Sequence, residues 1–187
     1  MSDFLPITTP HGTAFAAFKS ALIANLKERE ALEDVVVQYD SPENPAGVTT
    51  EQGLYESIFW DDAGVGIGIS TKIPNQENVV ICGLPLRIEE EHPIPLAIQV
   101  MLPGTGGRQE AADHRVDELI FEVMAELAHN PTQGLHVTPG FDYIQATKLW
   151  TWERHSGILD PSSLGRGALA RLFINVEARI SFTPIFD

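Results

Sequence analysis

The chain has 187 residues, 43% of them hydrophobic and 20% charged, a composition typical of globular proteins. Twelve Lys and Arg against 26 Asp and Glu give a formal net charge of −14, which disfavours binding to nucleic acid through phosphate neutralisation. No apolar run approaches the roughly 20 residues that a membrane-spanning helix needs, and the N-terminus does not have the pattern of a secretory signal. The single cysteine, Cys82, cannot form an internal disulfide, and we expect synthesis in a reducing cytoplasm.

The N-terminal third of the chain predicts one helix followed by short strands and loops. Thr9 suits the N-cap position and Pro10 the first helical position, and the helix is expected to end near residues 30–33. The β-branched run 35–37 and the segment Tyr55–Trp60 predict strands. Loops are predicted at about 41–53 and 61–78, where Gly, Pro and Asn accumulate. The apolar residues of the helix recur at helical spacing: Phe15, Phe18, Leu22 and Leu26.

The middle third predicts a sheet face and a helix that bury each other. Strand character over 79–91 is expected to break at His92-Pro93, and a second strand follows over 94–102 with alternating aliphatic residues. A second helix is predicted over Gln109–His129, stopped by Pro131. Its apolar residues form one stripe, predicted to be core: Val116, Leu119, Ile120, Val123, Met124 and Leu127.

The C-terminal third predicts two more strands. The first covers 141–152 and is followed by a loop at 156–167. The last strand alternates apolar and polar residues, so one of its faces should lie on the core and the other in water or in an interface. No repeat or linker divides the chain. We therefore predict a single domain spanning residues 1–187, of the α+β class, with a mainly antiparallel sheet and two main helices packed on it.

The sequence contains no recognisable catalytic, cofactor-binding or metal-binding constellation. The Gly-rich segment 104–107 opens a helix but has neither of the usual phosphate-binding spacings. Cys82 lies in an apolar run and fits a buried small residue better than a nucleophile. The six histidines are scattered, and the Asp61-Asp62 pair has no calcium-loop spacing. We expect a protein that is not an enzyme and that needs no cofactor.

Aromatic and aliphatic residues outside the predicted core are candidates for an interface. Trp150 and Trp152 are predicted to share one strand face, where they could serve a core or a protein interface equally well. Ile67 and Ile69 alternate with glycines in a segment that has little to pack on, and they are also candidate interface residues.

Three strings carry a resemblance to a known family: Val35-Val36-Val37-Gln38-Tyr39, Glu56-Ser57-Ile58-Phe59-Trp60-Asp61-Asp62 and Ile98-Gln99-Val100-Met101-Leu102-Pro103-Gly104. With the helix Gln109–His129 and the closing strand at 170–180, the chain resembles the tail terminator proteins of long-tailed (siphovirus-type) actinobacteriophages. The resemblance implies a virion protein that forms a ring, usually of six copies, on the head-proximal end of the tail tube. Such a ring stops tube polymerisation and joins the tail to the neck.

The resemblance also implies partners. These are further copies of the chain, the tail tube protein and a neck or head-completion protein, while genomic DNA passes through the ring without specific binding. An acidic ring would let DNA slide, and Glu89, Glu90 and Glu91 are candidate channel residues because we expect them at a strand end. The alternatives are a neck or head-completion connector, and a small-molecule-binding domain that uses the Gly-rich segment 104–107.

Overall fold

The structure is a computed structural model, and it describes residues 10–40, 55–61, 78–80, 86–102, 109–135, 142–157 and 166–182. Two helices pack on a six-stranded, mostly antiparallel sheet, which confirms the predicted α+β class. Predicted features at residues 41–53 and at Ile67, Ile69 and Cys82 lie outside the described residues. In chain order the elements are α1 (Pro10–Lys27), a 3-10 turn (Glu30–Leu32), β1 (Val36–Val37), β2 (Tyr55–Trp60), β3 (Asn78–Val80), β4 (Leu86–Leu102), α2 (Gln109–His129), β5 (Tyr143–Gly157) and β6 (Arg166–Phe182).

The sheet has the strand order β1-β2-β4-β6-β5, and β3 pairs with β4. β1 runs parallel to β2, and the other pairs are antiparallel. The central ladder joins β4 and β6 over their whole length, from Leu86 opposite Phe182 to Leu102 opposite Arg166. β1 and β5 therefore lie at opposite edges of the sheet.

Both helices begin where the sequence predicts. α2 covers Gln109–His129 as predicted, and α1 begins at Pro10 but ends at Lys27, earlier than expected. α1 ends in a tighter turn of the 3-10 type, because the N–H groups of Glu28 and Arg29 donate to carbonyls three residues back instead of four. The 3-10 turn then leads directly into β1.

The core lies between the two helices and one face of the sheet, which we call the helix face. The even-numbered residues at 94–100 of β4 and at 168–178 of β6 point to this face, and so do Ile58 and Trp60 of β2. Fully buried side chains there include Phe18, Leu22, Leu26, Leu96, Ile98, Leu119, Leu172 and Ile174. The predicted burial of the 94–102 aliphatic face against the α2 stripe is confirmed for residues 94, 96, 98 and 100, and Leu102 is half-buried against the core.

The predicted break at His92-Pro93 is wrong, because β4 continues through it without interruption. The backbone N–H of Asp61 donates to the carbonyl of Pro95, so the polar groups of residue 95 face the β2 side of β4. Alternation places Pro93 on that same side. β3 pairs with β4 before the two prolines and β2 pairs after them, so neither described strand requires the missing N–H groups.

The predicted loop at 156–167 is also too long. β5 extends to Gly157 and β6 begins at Arg166, and the intervening residues 158–165 lie outside the description. Two register shifts interrupt the β5–β6 ladder, one between Ala146 and Lys148 and one between Thr151 and Glu153. Each shift inserts one extra residue into β5, which is the usual geometry of a bulge on an edge strand.

The second face of the sheet, opposite the helices, is only partly polar. Phe173 and Asn175 of β6 are both 4% exposed there, and Tyr55 and Phe59 of β2, on the other side of β4, are also buried. Arg179 on the same face is exposed. The expectation of a uniformly wet or interface-forming face therefore holds only for part of β6.

We expect Leu119→Ala to lower the free energy of unfolding by about 2–4 kcal/mol, because the leucine is 0% exposed and its removal leaves a cavity in the core. Phe121→Ala is the matched control, two residues away on the same helix but 68% exposed, and should change stability by less than about 0.5 kcal/mol. Denaturant unfolding of both variants measures the difference. Equal effects would contradict the orientation of α2.

Candidate functional site

Two arginines hold the helices in place through buried or half-buried carboxylates. Arg115 on α2 reaches Glu56 on β2, with Nε 2.9 Å from each carboxylate oxygen, and Glu56 is only 6% exposed. The hydrogen bonds with Glu56 raise the pKa of Arg115 despite its partial burial. Arg29 donates to Glu122 and Glu126 and so joins the end of α1 to α2. These pairs satisfy buried charges and position the helices on the sheet.

A polar cluster on the second face joins three strands. Arg171 on β6 donates from Nε to Asp61 at 2.5 Å and from Nη1 to Glu153 at 2.6 Å. Asp61 directly follows β2 and is 8% exposed. Glu153 lies opposite Arg171 because of the bulge in β5, and it also contacts His155. We call Asp61, Glu153, His155 and Arg171 the second-face cluster.

Each charged group of the second-face cluster is hydrogen-bonded to another member of the cluster, which we call a closed ion network. Hydrogen bonds with His155, and then with Arg171, lower the pKa of Glu153. Burial by itself would lower the pKa of Arg171, but its hydrogen bonds to Asp61 and Glu153 outweigh the burial and raise it. The Nε and Nη1 groups of Arg171 both donate to carboxylates, those of Asp61 and Glu153. The arrangement ties β2, β5 and β6 together and suits a structural role better than acid–base chemistry.

The predicted acidic run has a different position from the one expected. Glu89, Glu90 and Glu91 lie inside β4, where the sequence had indicated a strand end, because the strand continues through the prolines. Of the three side chains, only that of Glu91 is described. It is exposed, and its Oε1 accepts a hydrogen bond of 2.6 Å from Asn175, which also donates to Thr147 at 2.9 Å. Channel lining by these residues stays a prediction.

The four predicted interface residues differ in how much of each the structure describes. Trp150 on β5 is 41% exposed, and its ring centroid lies 5.7 Å from that of Phe173 on the second face. Trp152 falls at the second bulge and has no register partner in β6, and its side chain lies outside the description, so the predicted shared face with Trp150 stays a prediction. Ile67 and Ile69 lie outside the described residues.

An apolar groove of about 330 Å³ runs between the C-terminal half of α2 and β5. Leu127 and Pro131 line one side, and Lys148 and Leu149 line the other. Met124 lies at this groove and is 48% exposed, so its predicted place in the core is wrong. The buried stripe of α2 is narrower than predicted, because the sheet ends at β5 and covers no more of the helix.

Exposed charged residues lie at both ends of the strand order. On β5, Lys148 is exposed and makes no ion pair with any described residue. Around β1, Glu33, Asp34 and Asp40 are exposed. Neither arrangement was evident in the sequence, because the strand order that brings these segments to the edges is not a local property.

Within the described residues, no group of three or more His, Cys, Asp or Glu side chains could hold a metal ion. No helix in that part of the chain is long and apolar enough to cross a membrane.

No protein-family model and no curated protein matches this chain. The fold is similar to a chain of the solved structure titled "Virion of native gene transfer agent (GTA) particle", at 13% sequence identity and a TM-score of 0.35. The alignment covers 90% of this chain and 98% of that chain. A TM-score of this size assigns neither a fold family nor a function. The geometry itself defines an α+β protein with an open antiparallel sheet, a closed ion network on one face and two candidate interaction edges.

We expect Glu153→Gln to lower stability at neutral pH and to have less effect in acid. Since the folded-state pKa of Glu153 is lowered, its contribution is fully present above the ordinary value of 4.5 and is lost as the pH falls through the lower folded value. Unfolding free energies of wild type and variant between pH 7 and pH 3 measure this. In a His155→Ala background the pH dependence of the same substitution should shrink, because the largest cause of the shift is gone. An unchanged dependence would contradict the role of His155.

Proposed function

We propose that this chain is a virion structural protein that assembles as a homo-oligomeric ring at the head-proximal end of a long phage tail. There it would end the tail tube and join it to the neck. The observation that carries the proposal is the open sheet, in which the 15-residue strand β5 forms an edge that no described strand covers. The resemblance of the sequence to tail terminator proteins supports the particular position in the virion.

An open edge favours assembly over a solitary monomer. Long edge strands are normally shortened, covered or charged, because they otherwise associate with other chains. β5 carries an exposed Trp150 on one side and borders the apolar groove on the other. Apolar groups on both sides of one exposed strand are a feature of protein interfaces. A subunit of a ring would bury this strand against its neighbour.

The net charge of −14 supports passage of DNA without binding. A ring of such subunits surrounds its centre with negative potential, and phosphate binding requires cations that this chain largely lacks. Four arginines that could contact phosphate are already paired with carboxylates: Arg29, Arg115, Arg154 and Arg171.

The ring is tested with the full-length chain and with tails of the phage that encodes it. We expect native mass spectrometry to show a closed oligomer with a mass near six times 20.5 kDa, free or on tail tubes, and electron microscopy to show a ring with a central hole. Gold-labelled antibody against the chain should mark the junction of tail and neck. Label on the capsid side of an otherwise tailless head would indicate the neck-connector alternative instead. A chain that is monomeric both free and with tails would overturn the proposal.

The channel prediction is tested by replacing Glu89, Glu90 and Glu91 together with Lys. If these residues approach the channel, the variant ring should bind duplex DNA more tightly at low salt and slow genome ejection, while its assembly stays intact. The matched control replaces Glu110, Asp117 and Glu118 on α2 with Lys, which changes the net charge by the same amount. An equal gain in DNA affinity by both variants in a filter-binding assay would show that position does not matter and would remove these residues from the channel.

A further inference from the structure

We infer that neighbouring copies of this chain meet head to tail, with the β5 edge of one copy against the β1 edge of the next. In this contact Lys148 faces the acidic residues that flank β1. The inference rests on the proposed ring and specifies which surfaces form it. The occupant of the groove beside β5 is therefore a second copy of this chain.

The β5 edge has the features of a contact surface but not of a strand-addition site. One of its main-chain groups is already occupied, since the N–H of Ala146 donates to the carbonyl of Pro131 at 2.8 Å. The two bulges also interrupt the regular spacing of main-chain groups along β5. A partner would therefore be recognised through side chains. The exposed ones on β5 include Lys148, Trp150, Thr151 and Arg154, and Met124 of α2 lies at the neighbouring groove.

The β1 edge offers complementary chemistry. β1 has only two strand residues, and Glu33 and Asp34 precede it while Asp40 follows it. All three carboxylates are exposed, and none has an ion pair within the described part of the chain. Val36 between them is half-exposed and leaves apolar surface for a partner such as Trp150. The ring of Tyr39 is already covered by Lys19, whose Nζ lies 6.0 Å from the ring centroid.

Ring closure decides between the two ways in which identical copies can meet. In an isologous contact the same edge of two copies meets about a two-fold axis, and that contact cannot take up a third copy. A single kind of contact can therefore build a ring only if it is head to tail. In a head-to-tail contact, the free cation of β5 faces the carboxylates of β1. Because β5 and β1 lie at opposite ends of the strand order, a copy that has made one contact still has its other edge for the next copy, and the series of contacts can close into a ring.

A charge-swap cycle in the full-length chain tests this contact. Lys148→Glu and Asp34→Lys should each raise the concentration at half-assembly by about tenfold at low salt, since each opposes the contact with like charge. The double variant should recover assembly. An equimolar mixture of the two single variants should recover it as well, because every contact in an alternating ring then joins opposite charges. Light scattering after size-exclusion chromatography measures the mass of the assembly for each single variant, the double variant and the mixture.

Lys27→Glu is the control, with the same change in net charge at an exposed lysine away from β5, and it should leave the half-assembly concentration unchanged. If the wild type forms rings but neither single variant shifts assembly, or if the double variant and the mixture do not recover it, this contact is wrong and the ring stands. If the wild type forms no oligomer, free or on tails, the proposed function fails first and the contact fails with it.

Discussion

The ladder between β4 and β6 fixes most of the remaining structure. The two 17-residue strands pair along their whole length, and paired residues share the same face of the sheet. One ladder therefore presents aliphatic side chains such as Leu96 and Leu172 to the helices and presents Arg171 to the second face. A slip of a single residue would exchange these two sets. The same register thus determines both the core and the ion network, which explains why a long, uninterrupted pairing is retained despite two prolines.

Charge is distributed unevenly between the inside and the outside of the molecule. Arg115 and Arg171 each hold a carboxylate that is less than a tenth exposed, and the planar guanidinium suits such bidentate or bridging contacts better than a lysine would. Each of these arginines is neutralised by the carboxylate that it binds. Many of the other described carboxylates face the solvent, and Lys148, like Lys27, is an exposed cation that makes no ion pair with a described residue.

The sequence predicts local features of this fold well and non-local ones poorly. The bounds of α2 follow from a Gly-rich approach, an apolar stripe and a terminating proline, all of which act within a few residues. The effect of Pro93 and Pro95 depends instead on which side of β4 the neighbouring strands lie. The exposure of Met124 depends on where the sheet ends. Arg171 and Asp61 are 110 residues apart, and their sequence positions alone do not indicate that they meet.

The two prolines of β4 also limit how many neighbours the sheet can accept. In the described sheet, the backbone between the β3 and β2 pairings presents Pro93 and Pro95, which have no N–H to offer an incoming strand. That gap cannot extend the sheet sideways by regular pairing. A partner that approached β4 at this gap would therefore have to be recognised through side chains, because the main chain there offers no regular ladder of donors.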